Sequence, residues 1–268
     1  MQIFLGERVV TRRGRILSLV AGIGGLCAVY LWFFGFATMF AVEARYVGWK
    51  MPVVRRTPVE LFDLSISQAP GKKLSYLGYE FEVPWDVNEE KTKQPGKTSV
   101  VIALRSGNAI WFSRVPPKEF VNNLLTSSKV DAENLRKLYG EDALHSDYSL
   151  TQLVLEVTPQ KVGPFSARRD AVGTLMLVVI KGIMMPRGGE SGIFRIRTGN
   201  FQGFQYGDPR SRPKSLDVEI FAADGGLAFL FAQRDNGPTP AITQAEFNRV
   251  IQTVRRVPDQ ELVARGRN

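Results

Sequence analysis

The longest apolar segment lies near the start of the chain. Residues 16–42 (ILSLVAGIGGLCAVYLWFFGFATMFAV) contain no charged side chain. A helix of this length reaches about 40 Å, whereas the hydrocarbon core of a bilayer is about 30 Å thick. The pattern therefore predicts a transmembrane anchor over 16–42. The side chains expected to face lipid are Ile16, Leu19, Val20, Leu26, Leu31, Trp32, Phe33, Phe36 and Phe40.

A cleaved signal peptide is the alternative for the same segment. Such peptides have an apolar region of about 7 to 15 residues, followed by small residues at the cleavage site. The segment here is longer, and the nearest candidate site, Val42-Glu43-Ala44, departs from that pattern. The sequence therefore favours an uncleaved anchor.

Charges on the two sides of the anchor predict its orientation. The basic residues are equally numerous before and after it: Arg8, Arg12, Arg13 and Arg15 against Arg45, Lys50, Arg55 and Arg56. The first group is crowded against the apolar segment, whereas the acidic Glu43 comes first on the other side. Because basic flanks are retained in the cytoplasm, we expect a cytoplasmic N-terminus and an extracytoplasmic C-terminal domain at the plasma (inner) membrane.

The anchor also divides the chain into predicted parts. These are a basic cytoplasmic tail over 1–15, the anchor over 16–42, a juxtamembrane linker over 43–73, a soluble domain over 74–257 and a basic C-terminal tail over 258–268. The linker is predicted because prolines and charges interrupt the apolar residues of 55–73.

Small residues recur four positions apart within the anchor, as Ser18 with Gly22 and Ala21 with Gly25. Such spacing lets two membrane helices approach closely. A weak homodimer through this face is therefore a predicted contact of the chain, beside the lipid bilayer itself.

Alternation of apolar and polar residues predicts strands in the soluble domain. Tyr79, Phe81 and Val83 alternate with glutamates, as in a half-buried strand. The apolar runs 100–104 and 109–113 flank a turn-forming Arg-Ser-Gly-Asn segment and predict a hairpin. Further strands are predicted at 194–197, 201–206, 216–220 and 227–232.

Apolar residues at helical spacing predict helices in the middle of the domain and at its end. Three short helices are predicted within 117–157, and 170–185 is apolar nearly all round, which indicates a buried helix. Thr243 and Glu246 form a capping box before a final amphipathic helix. Strands, helices, strands and a closing helix predict an α+β fold, with an antiparallel sheet packed against helices.

The order of these segments resembles the PsbP-like fold over about residues 74–257. The resemblance rests on the strand Gly78-Tyr-Glu-Phe-Glu-Val-Pro-Trp85, the hairpin, the helical middle, the antiparallel set ending in Leu227-Ala-Phe-Leu-Phe231 and the final helix. This group includes the extrinsic photosystem II protein and small envelope lipoproteins. The resemblance implies a PsbP-like sandwich that acts as an assembly or binding module without catalysis, and it carries over no functional residue.

The composition limits the kinds of functional site that the chain can contain. The chain has 35 Lys and Arg against 26 Asp and Glu, one Cys and one His. A single Cys cannot form an internal disulfide or a thiolate metal cluster, and we predict no cofactor. The basic residues lie in short clusters without interleaved aromatic residues, so nucleic acid is not expected as a partner. His145 lies close to Asp142 and Asp147, but no nucleophile signature accompanies it.

The sequence therefore predicts a non-catalytic binding or assembly module of the cell envelope, with a protein partner. An exposed aromatic patch at Phe201, Phe204 and Tyr206 is the candidate contact surface. One alternative is an envelope hydrolase whose site forms only in three dimensions, from Ser, Asp or Glu residues with His145. The other is a cytoplasm-facing basic domain that binds anionic lipid.

Overall fold

One helix leads from the apolar segment into the folded domain. The computed structural model describes residues 12–61, 65–127, 132–199, 201–211, 215–222, 227–234 and 242–257. The helices are α1 Arg12–Lys50, α2 Glu119–Ser127, α3 Ala132–Tyr139, α4 Asp147–Glu156, α5 Arg168–Met184 and α6 Gln244–Thr253. The strands are β1 Val59–Glu60, β2 Lys72–Tyr76, β3 Tyr79–Val83, β4 Ser99–Ala103, β5 Ala109–Ser113, β6 Ile193–Arg197, β7 Phe201–Tyr206, β8 Ser215–Ala222, β9 Leu227–Arg234 and β10 Arg255–Arg256.

The strands form two sheets. Seven strands pair in the order β1-β6-β7-β8-β9-β5-β4, and three pair in the order β10-β3-β2. All pairs are antiparallel except β1 with β6. The predicted hairpin is confirmed, with Val101 opposite Trp111. The α+β class, with an apolar N-terminal helix and sheets beside helices, is confirmed as well.

Both faces of the large sheet are covered. On one face, Val218 and Ile220 of β8 pack in a core with Phe247 and Val250 of α6, which also includes the small sheet. On the other face, Phe204, Tyr206 and Phe221 pack against Leu155 of α4. A further core joins α2, α3, α4 and α5 behind this face. The large sheet is therefore the central layer of the domain.

The start of the domain is α1 itself. The helix does not end at Val42 but continues to Lys50, and Ala44 and Val54 have no exposed surface. The stretch after the anchor, predicted as a linker, is instead packed on the domain through residue 54. This packing begins with a stripe of alanines on α1. The apolar pattern of the sequence alone does not distinguish such alanines from residues that would face lipid.

The alanine stripe consists of Ala37, Ala41 and Ala44, and it packs against Ala171 and Leu175 of α5. Small side chains let two helices approach closely. The two helices run in the same direction. Phe36 of α1 lies beside Arg168 at the start of α5. The segment after α1 packs against the end of α5, where a Cβ added to Gly182 would lie only 2.6 Å from Cε of Met51.

Candidate functional site

The predicted lipid-facing side chains are mostly exposed on α1. Their exposed fractions range from 52% to 83% for Leu26, Leu31, Trp32, Phe33 and Phe36. Phe40 instead packs partly against the α1–α5 contact. The side chains of Ile16, Leu19 and Val20, and those of the predicted dimer face up to residue 22, lie outside the part that the structure describes.

This helix is long and apolar enough to cross a membrane. Within Ile23–Lys50 the most apolar window has a mean hydropathy of 1.8, and only 11% of it is buried. A core helix of comparable hydropathy would be mostly buried. Most of the apolar segment of α1, including all of residues 23–29, thus lacks cover from the rest of the described chain.

The predicted aromatic patch is wrong as an exposed surface. Phe204 has no exposed surface and Tyr206 is 2% exposed, whereas Phe201 is half-buried. The strand predicted at 201–206 is confirmed as β7, but both of its faces are covered. Phe204 and Tyr206 face the helices, and Phe201 packs against the core on the side of α6.

The cluster of buried rings on this face of the sheet adjoins a cavity. Tyr148 of α4 stacks on Phe204 with ring centroids 5.5 Å apart, and it meets Phe221 edge-on. Beyond them is a cavity of about 230 Å³ between α2, α4, the end of α5 and the sheet. We name it the Tyr206–Glu219 cavity. Its lining residues are Val115, Glu119, Phe120, Asn123, Thr151, Val154, Leu155, Lys181, Met184, Met185, Pro186, Tyr206, Glu219 and Phe221.

The size and lining indicate what this cavity can hold. A cavity of about 150 Å³ holds benzene, and pockets for drug-sized ligands begin at about 300 Å³. The walls are mainly aliphatic, aromatic and methionine side chains, and methionine adapts its shape readily. The cavity therefore suits a small apolar molecule, slightly larger than a single ring.

On the sheet side of the cavity, a hydrogen-bonded pair of titratable groups lines the wall. The Tyr206 hydroxyl donates to Oε2 of Glu219 at 2.8 Å, across the pairing of β7 with β8. Burial raises the pKa of Glu219 from 4.5 to about 7; the Tyr206 hydrogen bond opposes this shift and Asp217 adds to it. Burial and the neighbouring carboxyl groups also raise the pKa of Tyr206 well above its ordinary value. Near neutral pH, Glu219 can thus either donate or accept a hydrogen bond.

Lys181 is another charged group among the lining residues, and it is fully buried. Its ammonium donates to the backbone oxygens of Arg56 at 2.6 Å, Leu155 at 2.5 Å and Val157 at 2.9 Å. An ammonium group has three donors, so these contacts satisfy it. Burial lowers its pKa from 10.5 to about 8. Lys181 is therefore a structural clamp that joins α5 to α4 and to the segment after α1.

Other candidates from the sequence are not brought to this cavity. His145 is exposed at the end of a short helical turn, outside the lining residues. In the ranges that the structure describes, no group of three or more His, Cys, Asp or Glu side chains could hold a metal ion.

Sequence reasoning missed Glu219 because it alternates with apolar residues of β8 and so resembles a solvent-facing position. The charge of Lys181 within an apolar helix was the one available signal. No protein-family model, curated protein or solved structure matches this chain.

Proposed function

We propose that this chain is a single-pass plasma-membrane protein whose extracytoplasmic α+β domain is a non-catalytic binding module of the cell envelope. Its binding place is the Tyr206–Glu219 cavity, and its ligand is a small apolar molecule with one hydrogen-bonding group. We also propose that the domain has a PsbP-like fold and that it binds a protein partner in the envelope.

The observation that carries the proposal is the division of α1 into two halves. Residues such as Leu26 and Trp32 are exposed and apolar, whereas Ala41 and Ala44 of the same helix are buried against α5. Exposing so much apolar surface to water is unfavourable, at roughly 25 cal/mol per Å². A bilayer removes that cost, and the docked half then holds the domain at the membrane.

The same division argues against a cleaved signal peptide. Cleavage after Val42 or Ala44 would remove Ala37 and Ala41 from the contact with Ala171 and Leu175. The domain would then expose apolar residues of α5. A mature protein that needs its anchor for packing is better explained by an uncleaved helix.

The ligand class follows from the cavity wall. Most lining side chains are apolar, and the Tyr206–Glu219 pair offers a hydrogen-bonding point on the sheet side. Glu119, Asn123 and Thr151 are the polar lining residues on the helix side. A polar ligand would lose more hydrogen bonds to water than this wall replaces. A small phenol fulfils both conditions, so p-cresol serves as the probe.

The membrane part is tested on the intact chain in cells. After an alkaline carbonate wash we expect the full-length chain in the membrane pellet, and an alkaline phosphatase fused to its C-terminus to be active. Extraction into the wash, or a mature chain that begins after Ala44, would overturn the anchor. If a reporter that works only in the cytoplasm is fused in place of the phosphatase and is active, the result would support the alternative of a cytoplasm-facing, lipid-binding domain.

The binding part is tested by NMR of isotope-labelled methionine methyl groups in the full chain. Met184 and Met185 line the cavity, whereas Met51 packs against Gly182 elsewhere. On addition of p-cresol, we expect shifts at the first two and not at Met51. The cavity-filling variant Val154→Phe should abolish these shifts, and Val179→Phe on the exposed face of α5 should keep them. Equal shifts in both variants would contradict binding in the cavity.

The raised pKa of Glu219 favours one second candidate, a hydrolase of envelope material with this carboxyl group as general acid. Glu119 is the other carboxylate among the lining residues of this cavity. Turnover of an envelope extract that is lost in Glu219→Gln, while p-cresol binding persists, would establish this candidate.

A further inference from the structure

The loop between α4 and α5 touches α1 within its apolar segment. The ring of Phe165 lies edge-on to Tyr30 and Phe34, with centroids 5.5 and 5.8 Å away. Phe165 is nevertheless 69% exposed. A large apolar side chain at the tip of a loop, fixed beside the membrane-spanning part of a helix, has its free face toward whatever surrounds that helix.

The side chain of Tyr30 is turned toward the domain. Its hydroxyl lies 2.5 Å from Oγ1 of Thr38, which is two turns further along α1, and 3.4 Å from the backbone oxygen of Pro164. Tyrosine is enriched at the membrane interface, where its ring is in apolar surroundings and its hydroxyl reaches polar groups. The loop thus supplies one of the polar groups at this level of the helix.

Arg168 indicates where the hydrocarbon ends. Its guanidinium group lies 4.3 Å from the ring centroid of Phe36, and its side chain is exposed. A guanidinium group is costly within hydrocarbon and favourable among lipid phosphates. The boundary therefore falls near Gly35 and Phe36. About 20 residues span the core, and counting back from Gly35 reaches Ile16, directly after the arginine at position 15.

We propose that the loop 163–167 inserts into the outer interface of the bilayer. Phe165 then lies just below the hydrocarbon boundary, and Arg168 lies among the headgroups. This inference rests on the membrane anchoring proposed above and refines it: the span is 16–35, and residues 36–50 of α1 stand outside the hydrocarbon with the domain. The domain is thus seated directly on the membrane surface.

The charges around the loop agree with this placement. Arg168 and Arg169 are both exposed at this end of the domain. Asp170 is the acidic residue nearest to them in sequence, and it is half-buried. Basic side chains near a bilayer are attracted to anionic lipids, by about 1 kcal/mol each at the surface. The surface beside Phe165 therefore has the charge that a lipid partner requires.

The test uses the full chain with Cys27→Ser, which removes its single cysteine. A polarity-sensitive NBD label is placed at Phe165→Cys in vesicles of phosphatidylcholine and phosphatidylglycerol. Ala167→Cys carries the label in a second variant that keeps Phe165. Leu31→Cys is the reference inside the membrane, and Ser106→Cys, in the exposed β4–β5 turn, is the reference in water.

At position 165 we expect blue-shifted emission and quenching by lipids that carry a nitroxide near the headgroup. Quenching by aqueous iodide should be severalfold weaker at 165 than at 106, and position 167 should be intermediate. If the label at 31 is lipid-quenched while those at 165 and 167 respond to iodide as at 106, the loop inference fails and the anchor stands. If the label at 31 also responds to iodide, the anchor itself fails.

Discussion

The two ends of α5 carry basic residues that the protein accommodates in opposite ways. At the first end, Arg168 is exposed and lies over the ring of Phe36. At the other end, Lys181 is fully buried and bonded to three backbone oxygens. The two residues are 13 positions apart, which corresponds to about 20 Å along the helix. One end is therefore suited to a surface, and the other forms a rigid wall of the cavity.

The distance between these ends has a functional consequence. Because α5 runs in the same direction as α1, the Tyr206–Glu219 cavity lies about 20 Å from the level of Phe36. In our proposal the loop contacts lipid, while the cavity takes its ligand from the aqueous side. The comparison can be tested by removing each charge in turn, and the largest effect is expected at the buried end.

Replacing Lys181 by methionine should strongly destabilise the domain. The variant leaves the backbone oxygens of Arg56, Leu155 and Val157 without their buried donor. Each buried acceptor that loses its donor costs about 1 to 3 kcal/mol, so three of them together should cost about 3 kcal/mol or more. Denaturant unfolding of the full chain in detergent micelles, followed by near-ultraviolet circular dichroism, measures the loss.

The matched control is Lys137→Met, at an exposed position of α3. Surface substitutions of this kind change stability by less than about 0.5 kcal/mol. A Lys181→Met variant that unfolds with the same free energy as this control would show that the clamp contributes nothing.

The contrast between the two basic residues also shows how far the sequence predicts this molecule. Periodicity predicted the hairpin, the buried α5 and the capped α6, because each depends on neighbours in the chain. It could not predict which apolar residues of α1 are exposed and which pack against the domain. Ala41 and Trp32 are both apolar, but only small residues such as Ala41 fit against α5.

The polar positions of strands were harder to interpret for a related reason. Alternation assigns Glu80 and Glu219 to a solvent-facing side, but the second face of each strand is covered. Glu80 is 1% exposed, and Arg255 of β10 and Lys73 of β2 pair with its carboxylate. Such cover comes from residues distant in sequence, so no local pattern reports it.

The pH dependence of the free energy of unfolding provides a second test at the cavity end, through Glu219. Glu219 has a higher pKa in the folded chain, about 7, than its ordinary 4.5. Between these values the folded state binds more protons than the unfolded state, so this group makes the free energy of unfolding fall as pH rises. Glu219→Gln removes that fall. We expect the variant to be nearly equal to the parent near pH 4.5 and to exceed it by about 3 kcal/mol at pH 8.

Unfolding free energies of both chains, measured across this pH range in micelles, provide the comparison. Glu90→Gln, an exposed glutamate after β3, is the control and should reproduce the pH dependence of the parent. If Glu219→Gln also follows the parent curve, the carboxyl group of Glu219 is as accessible to water as that of Glu90, and it offers no special hydrogen-bonding point to a ligand.

The smallest effect is expected at the first end of α5, with Arg168→Met. In micelles the loss is one exposed cation–π contact with Phe36, about 0.5 to 1 kcal/mol. In anionic vesicles the same variant should also make the NBD label at position 165 less sensitive to the phosphatidylglycerol content, because the headgroup contact is gone. A loss as large as that of Lys181→Met would mean that Arg168 stabilises the fold itself. The two ends of α5 would then be structurally equivalent, and the argument that uses Arg168 to locate the hydrocarbon boundary would fail.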